Sequence, residues 1–197
     1  MVRRNQHGKA TPLQECRPQA GLPKDVSCRH ARADTPTITI MTLANRLSRV
    51  PHTQLVQTPM PLEAMPRLVA CTGCDLWVKR DDCTGLAMGG NKVRQLEYYL
   101  GEAVEQACDT VLITSAVQSN FVRLATAAAN RLGMTCHIQL GDRVPFDDVF
   151  YRTNGNVLLD KVLGATLHSY PEGEDEAGAD RSLKNLADDL SRKGARP

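Results

Sequence analysis

Apolar residues recur along this chain at two spacings, and the change from one to the other divides it into alternating helices and strands. Val93, Leu96, Leu100, Ala103, Val104 and Ala107 fall on one helical face, which predicts a helix over Asn91–Ala107 with Asn91 as its N-cap. Thr110–Thr114 (TVLIT) is a continuous apolar run of the kind found in buried parallel strands. Val122, Ala125, Ala128, Ala129 and Leu132 make a second helical face, and Gly133 is placed to end it. Thr135–Leu140 then reads as a strand, Val149–Leu163 as a helix, Ala165–Tyr170 as a strand and Leu183–Arg192 as a helix. The acidic run Glu172–Asp180 reads as a solvated loop. Upstream, Pro59, Pro61 and Pro66 fix an extended lead-in between Leu55 and Pro66, Leu76-Trp77-Val78 reads as a short strand, and the chain turns at Asp81 and Asp82. The alternation predicts an α/β fold: a parallel sheet with helices on both faces and right-handed crossovers.

From Met1 to Pro36 neither period is present, and Arg3, Arg4, Lys9, Arg17, Lys24, Arg29 and Arg32 outnumber Glu15, Asp25 and Asp34. Residues 1–40 are therefore expected to form a disordered basic arm, with Met41 available as an alternative start. Over the whole chain the formal net charge is only +2, too small to point to nucleic acid as a partner. No apolar run approaches the roughly 20 residues that span a bilayer, and the N-terminus has no secretory pattern. Seven cysteines, odd in number and scattered, suit reduced thiols and a cytoplasmic setting better than a disulfide framework. Aromatics make up 4% of residues against 42% hydrophobic, so the core must be aliphatic and alanine-rich.

Two sites carry candidate chemistry. Gly89-Gly90-Asn91-Lys92 places a lysine at the first turn of a helix directly after two glycines. A Schiff-base lysine needs such a setting, because glycines let a flat ring approach the backbone and a helix N-terminus favours a neutral, nucleophilic amine. Lysines before helices are also common on solvated surfaces, and the tetrapeptide alone leaves both readings open. Gln118-Ser119-Asn120 lies in the turn after the TVLIT strand, where parallel sheets bind ligands and helix N-termini bind anions. Ser119 or Asn120 would serve equally as a helix cap there.

The stretches WVKRDDCTGLAMGGNKVRQLEYYL (Trp77–Leu100), DTVLITSAVQSNFVRLATAAANRLGM (Asp109–Met134) and GNVLLDKVLGA (Gly155–Ala165) resemble the D-cysteine desulfhydrase and aminocyclopropane-carboxylate deaminase family. These are tryptophan-synthase-beta-like, fold type II enzymes that use pyridoxal 5'-phosphate (PLP). The resemblance runs in collinear order from about Leu43 to Pro197. It implies that Lys92, matching the lysine of the family's GGNK motif, carries PLP covalently and later moves protons at the substrate alpha carbon. Asn120 matches the asparagine that hydrogen-bonds the PLP 3'-oxygen. Ser119 matches the serine near the substrate carboxylate, to which the deaminase branch assigns a nucleophilic role. The implied reaction on D-cysteine is alpha,beta-elimination to pyruvate, sulfide and ammonia; in the deaminase it is opening of a cyclopropane ring. The resemblance also implies a small amino-acid substrate and a homodimer. Its domain plan places residues 41–90 in a larger domain, 91–170 in a smaller one and 171–197 on the return towards the larger.

Two departures qualify that transfer. Phe121 stands where family members usually carry His or Gln, and its ring neither donates nor accepts a conventional hydrogen bond. The family continues into a glycine- and threonine-rich loop that cups the PLP phosphate, and no second glycine-rich cluster occurs here, so this chain is expected to be a truncated and weak or inactive enzyme, or a noncatalytic fragment. Other polar clusters invite plainer readings. Cys71-Thr72-Gly73-Cys74 has metal-pair spacing but lacks a second pair, so it reads as loop thiols. His137 reads as a satisfied structural histidine, and Lys79, Arg80, Asp81 and Asp82 as a turn closed by its own charge pairs. A nucleotide-binding Rossmann domain fits the rhythm but lacks G-x-G-x-x-G after its first strand.

Overall fold

The structure, a computed structural model, describes residues 45–146 and 148–197. The basic arm expected over residues 1–40 lies outside the described residues. Two compact units are present, one built on residues 62–79 and the other on residues 45–61 with 80–197.

In the first unit β1 (Leu62–Ala64) pairs antiparallel with β2 (Trp77–Lys79), Ala64 opposite Trp77, and α1 (Pro66–Thr72) joins them. Pro66 suits the first helical turn because no intrahelical acceptor awaits its missing N–H. Gly73 ends the helix in the left-handed conformation at φ 70°, its N–H donating to Val69 O. The extended lead-in expected up to Pro66 thus contains a strand, and a helix follows that the apolar pattern did not predict. No residue of 62–79 is buried, so no apolar stripe marks these elements.

The second unit holds a parallel sheet in the order β3 (Thr110–Ala116), β4 (Thr135–Gly141), β5 (Thr166–Tyr170), with Thr110 opposite Thr135 and His137 opposite Thr166. Side chains alternate across β4. Cys136 and Ile138 join the core with Val122, Leu124, Ala125, Ala128 and Ala129 of α3 (Asn120–Arg131), and with Val93, Leu96 and Leu100 of α2 (Val93–Glu105). On the opposite face the buried Gln139 amide donates to Ala179 O of α6 (Glu176–Arg192) at 2.9 Å. Helices therefore cover both faces of a parallel sheet, as the sequence pattern predicts.

Three boundaries differ from the pattern. α2 begins at Val93, with Lys92 rather than Asn91 in the N-cap position and no side-chain cap. The single helix expected over Val149–Leu163 is two, α4 (Val149–Thr153) and α5 (Asn156–Val162), because Asn154 is extended and Gly155 sits at φ 60°. α6 starts at Glu176 rather than Leu183, so residues 176–180 are helix and not loop. Asp175 supplies the reason: its carboxylate accepts the Gly178 N–H at 2.9 Å, and acidic residues favour the positive end of a helix.

Glu97 of α2 ties the lead-in to the core. Its buried carboxylate accepts the N–H groups of Leu55 and Val56, each at 2.8 Å, and its carbonyl accepts that of Thr53 at 3.0 Å. At Gly101 a Cβ would meet the His52 backbone N at 2.6 Å, so only glycine lets the lead-in pass this close.

Candidate active site

Two single 3-10 turns, Asp81–Cys83 and Leu86–Met88, lead the chain into Gly89 and Gly90. A Cβ on Gly89, at φ 71°, would collide with the Asp82 carbonyl oxygen. Gly90, at φ 143°, shares its N–H between Asp81 O and the Oγ1 of fully buried Thr84, each at 3.0 Å. A Cβ there would lie 3.1 Å from Leu124 Cδ1 and 3.4 Å from Asn120 Nδ2. Both glycines are needed: the first because backbone occupies the space, the second because the loop lies against the first turn of α3.

Lys92 follows in this loop, half-buried, with Nζ 5.9 Å from the centroid of the Phe121 ring. That is cation–π distance, so Phe121 offers the amine an aromatic face instead of a hydrogen-bonding partner. Ser119 is the N-cap of α3, and its Oγ accepts the Phe121 N–H at 3.2 Å. Asn120 is exposed at the first position of α3, just beyond the carboxyl end of β3. The structure thus brings Lys92, Ser119 and Asn120 onto two adjoining turns, with Gly90 against Asn120 and Lys92 against Phe121.

Gln118 fixes the second turn. Its amide donates to Tyr151 O at 2.5 Å and Asn154 O at 2.9 Å, while its Oε1 accepts the Asn156 N–H at 3.0 Å. In return Asn156 Nδ2 donates to Gln118 O at 2.8 Å. The break between α4 and α5 is therefore what the Gln118 side chain grips. Sequence reading singled out Gln118 only as part of the turn and missed Asn156, Arg123 and Thr84. The Gly155 interruption in the third helical pattern was the available signal.

The other polar groups take plainer places. Arg80 pairs with Asp82 at 2.5 Å and holds that carboxyl below the usual range, and Arg94 lies 3.6 Å from Asp81. His137 Nδ1 lies 3.1 Å from His168 Nε2, and burial together with the neighbouring ring lowers its pKa. Cys71 lies in α1 and Cys74 just beyond its C-cap. A cavity of 270 Å³ beyond the carboxyl ends of β4 and β5 is lined by Val117, Leu140, Asp142, Arg152 and Ser169 among others. Lys92, Ser119 and Asn120 do not line it.

A lysine on a glycine turn, beside a capped helix N-terminus at a strand's carboxyl end, is the setting in which an amine can hold a flat carbonyl cofactor. The sequence pattern of the family described as "Pyridoxal-phosphate dependent enzyme" matches residues 53–195. The chain belongs to this family. Among its relatives in it are a 1-aminocyclopropane-1-carboxylate deaminase of Methylobacterium nodulans, 39% identical over 142 residues, covering 71% of this chain and 42% of the relative. A D-cysteine desulfhydrase of Salmonella paratyphi B is 37% identical over 153 residues, covering 78% of this chain and 46% of the relative. A crystal structure described as that of an ACC deaminase homologue superposes with a TM-score of 0.68 at 33% identity, over 77% of this chain and 44% of that one. The chain spans less than half the length of these relatives. Its pyridoxal-phosphate family membership and α/β architecture agree with the resemblance carried by the GGNK and QSN motifs. No described helix is long and apolar enough to cross a membrane.

Proposed function

We propose that the chain acts in alpha,beta-elimination on D-cysteine, giving pyruvate, sulfide and ammonia, with Lys92 as the residue that binds PLP. The observation that supports this reading most is the placement of Lys92 near Phe121 while Gly90 packs so close to Asn120 that a Cβ on it would lie 3.4 Å from the amide nitrogen, which puts an amine and a side-chain amide on adjoining turns. The residues fit the ring end of the cofactor: the two glycines let the loop pack close to the first turn of α3, Lys92 would hold the ring through its amine, and Asn120 would hydrogen-bond the 3'-oxygen. When bound, PLP supplies an electron sink for negative charge at the substrate alpha carbon. Lys92 would take the alpha proton, the electron pair left behind would expel sulfide from the beta carbon, and water would hydrolyse the unsaturated amine that remains to pyruvate and ammonia. Ser119, already fixed by its cap to Phe121, stands with the α3 N-terminus where a substrate carboxylate would be held. In this reading residues 41–90 belong to a larger domain, 91–170 to a smaller one and 171–197 return towards the larger.

The test is the visible absorbance of the purified chain after PLP is added and free cofactor removed, beside Lys92→Ala. A lysine-dependent band supports the reading, and release of sulfide from D-cysteine then separates it from ring opening of aminocyclopropane carboxylate. Absence of a band above the control would sink it and leave a noncatalytic fragment of such an enzyme.

A further inference from the structure

We infer that Arg123 is a positioning residue that locks the Lys92 loop to the Gln118–Asn120 turn through a bridge of hydrogen bonds. Arg123 stands in the first turn of α3, half-buried. Its Nη2 donates to Gly89 O at 3.0 Å, and its Nη1 donates to Asn156 Oδ1 at 2.8 Å. Asn156 holds Gln118 by the two bonds already described, and Gln118 precedes Ser119 and Asn120 in the chain. A bridge therefore runs from the glycine turn through Arg123 and Asn156 to Gln118, and the backbone from Gln118 through Ser119 and Asn120 leads back to Arg123.

The geometry explains why a guanidinium is used. Two acceptors on different elements, a loop carbonyl and the side chain at the start of α5, are met by two nitrogens of one planar fork. An ammonium is a point charge on a flexible stem and cannot hold both with the same fixed geometry. Asp160 lies fully buried on α5, neither carboxylate oxygen hydrogen-bonded, and its field acts on Arg123. That charge favours keeping the guanidinium at the junction of the loop, α3 and α5.

The consequence is specific to the site. Gly90 is held to Thr84 and Asp81 within its own loop, whereas Arg123 is the side chain that bonds Gly89 from α3. Removing it leaves the loop's internal bonds in place and frees the loop's position relative to Asn120. Residues that must act together within about 0.5 Å lose function when only their relative placement is relaxed.

For its chemical consequence this inference rests on the reading of Lys92 as the cofactor lysine, but its structural content does not. The experiment is amide hydrogen exchange on the PLP-free chain, comparing the natural protein with Arg123→Met and Arg123→Lys, in peptides covering 89–93 and 117–120. Peptides from β4 serve as the fold control. The expected result is exchange about 10-fold faster in both site peptides of both variants, with β4 unchanged. No acceleration there, or equal acceleration in β4 in both variants, overturns the inference. Borohydride reduction with PLP followed by mass spectrometry reads the chemistry separately: modification of Lys92 should fall about 10-fold in both variants, and undiminished modification also counts against a positioning role. If the natural chain itself takes no PLP at Lys92, the proposed function fails while the exchange result still decides the role of Arg123.

Discussion

Asp160 shows how one side chain can oppose the stability of the fold it belongs to. It is fully buried, neither carboxylate oxygen has a hydrogen-bond partner, and burial pushes its pKa from 3.8 up to about 6 against the attraction of Arg123. The neighbouring Cys136 adds no charge, since burial pushes its thiol up as well. Between pH 3.8 and about 6 the folded chain keeps a proton that the unfolded chain has released. Stability contributed by this group is therefore highest in acid and is lost as pH rises through that window, by about 3 kcal/mol in all. Asp160→Asn carries no charge to bury, so at pH 7.5 it should be more stable than the natural chain by up to about 3 kcal/mol, with the difference closing near pH 4. Urea denaturation at both pH values checks this, and an equal difference at the two would contradict it. Sequence alone offered no route to this residue, since an aspartate in a short helical pattern reads as a surface group. Lys92, Ser119 and Asn120 stand out as candidates because their neighbours form recognisable local motifs. Arg123 and Asn156 act through contacts between elements, which no local spacing encodes.

Elements were legible where one face is buried and illegible where a single residue decides. The apolar stripes of α2 and α3 and the continuous run of β3 announce themselves because each packs into one core. The break between α4 and α5 turns on Gly155, and the early start of α6 on the Asp175 cap; both lie within patterns that continue past them. Glu97 belongs to the same class, a charged residue on an otherwise apolar helix face whose purpose is visible only once the lead-in is in place. Its carboxylate satisfies two buried backbone N–H groups, those of Leu55 and Val56. Glu97→Ala leaves both without an acceptor and should cost about 2 to 6 kcal/mol, at about 1 to 3 kcal/mol for each unsatisfied group. Glu97→Gln keeps an amide oxygen in reach of both N–H groups and loses the charge assistance there and opposite His52, 3.4 Å from the second oxygen, for a cost of about 1 kcal/mol. Equal losses in the two variants, measured by urea denaturation at neutral pH, would show that the charge and not the backbone contact is what matters.

Across the described residues burial is distributed unevenly, and protection from exchange should follow it. The second unit holds the fully buried Val93, Val122, Leu124, Ala125 and Ile138 around its parallel sheet, whereas residues 62–79 contain no buried side chain and rely on a short two-stranded pairing. Two strands without a hydrophobic face are marginal in water, so amides of 62–79 should exchange through local opening, and those of β3, β4 and α3 only when the core unfolds. A core mutation separates the two processes. Ile138→Ala removes buried methylenes from β4, and such truncations cost at least about 2 kcal/mol. Exchange in β3, β4 and α3 should then accelerate by about 30-fold or more, because protection there reports the global equilibrium. Exchange in residues 62–79 should hardly change, since nothing in its own hairpin has been altered. If both regions accelerated by the same factor, their protection would come from one cooperative transition, and the division into two units would describe contacts but not stability.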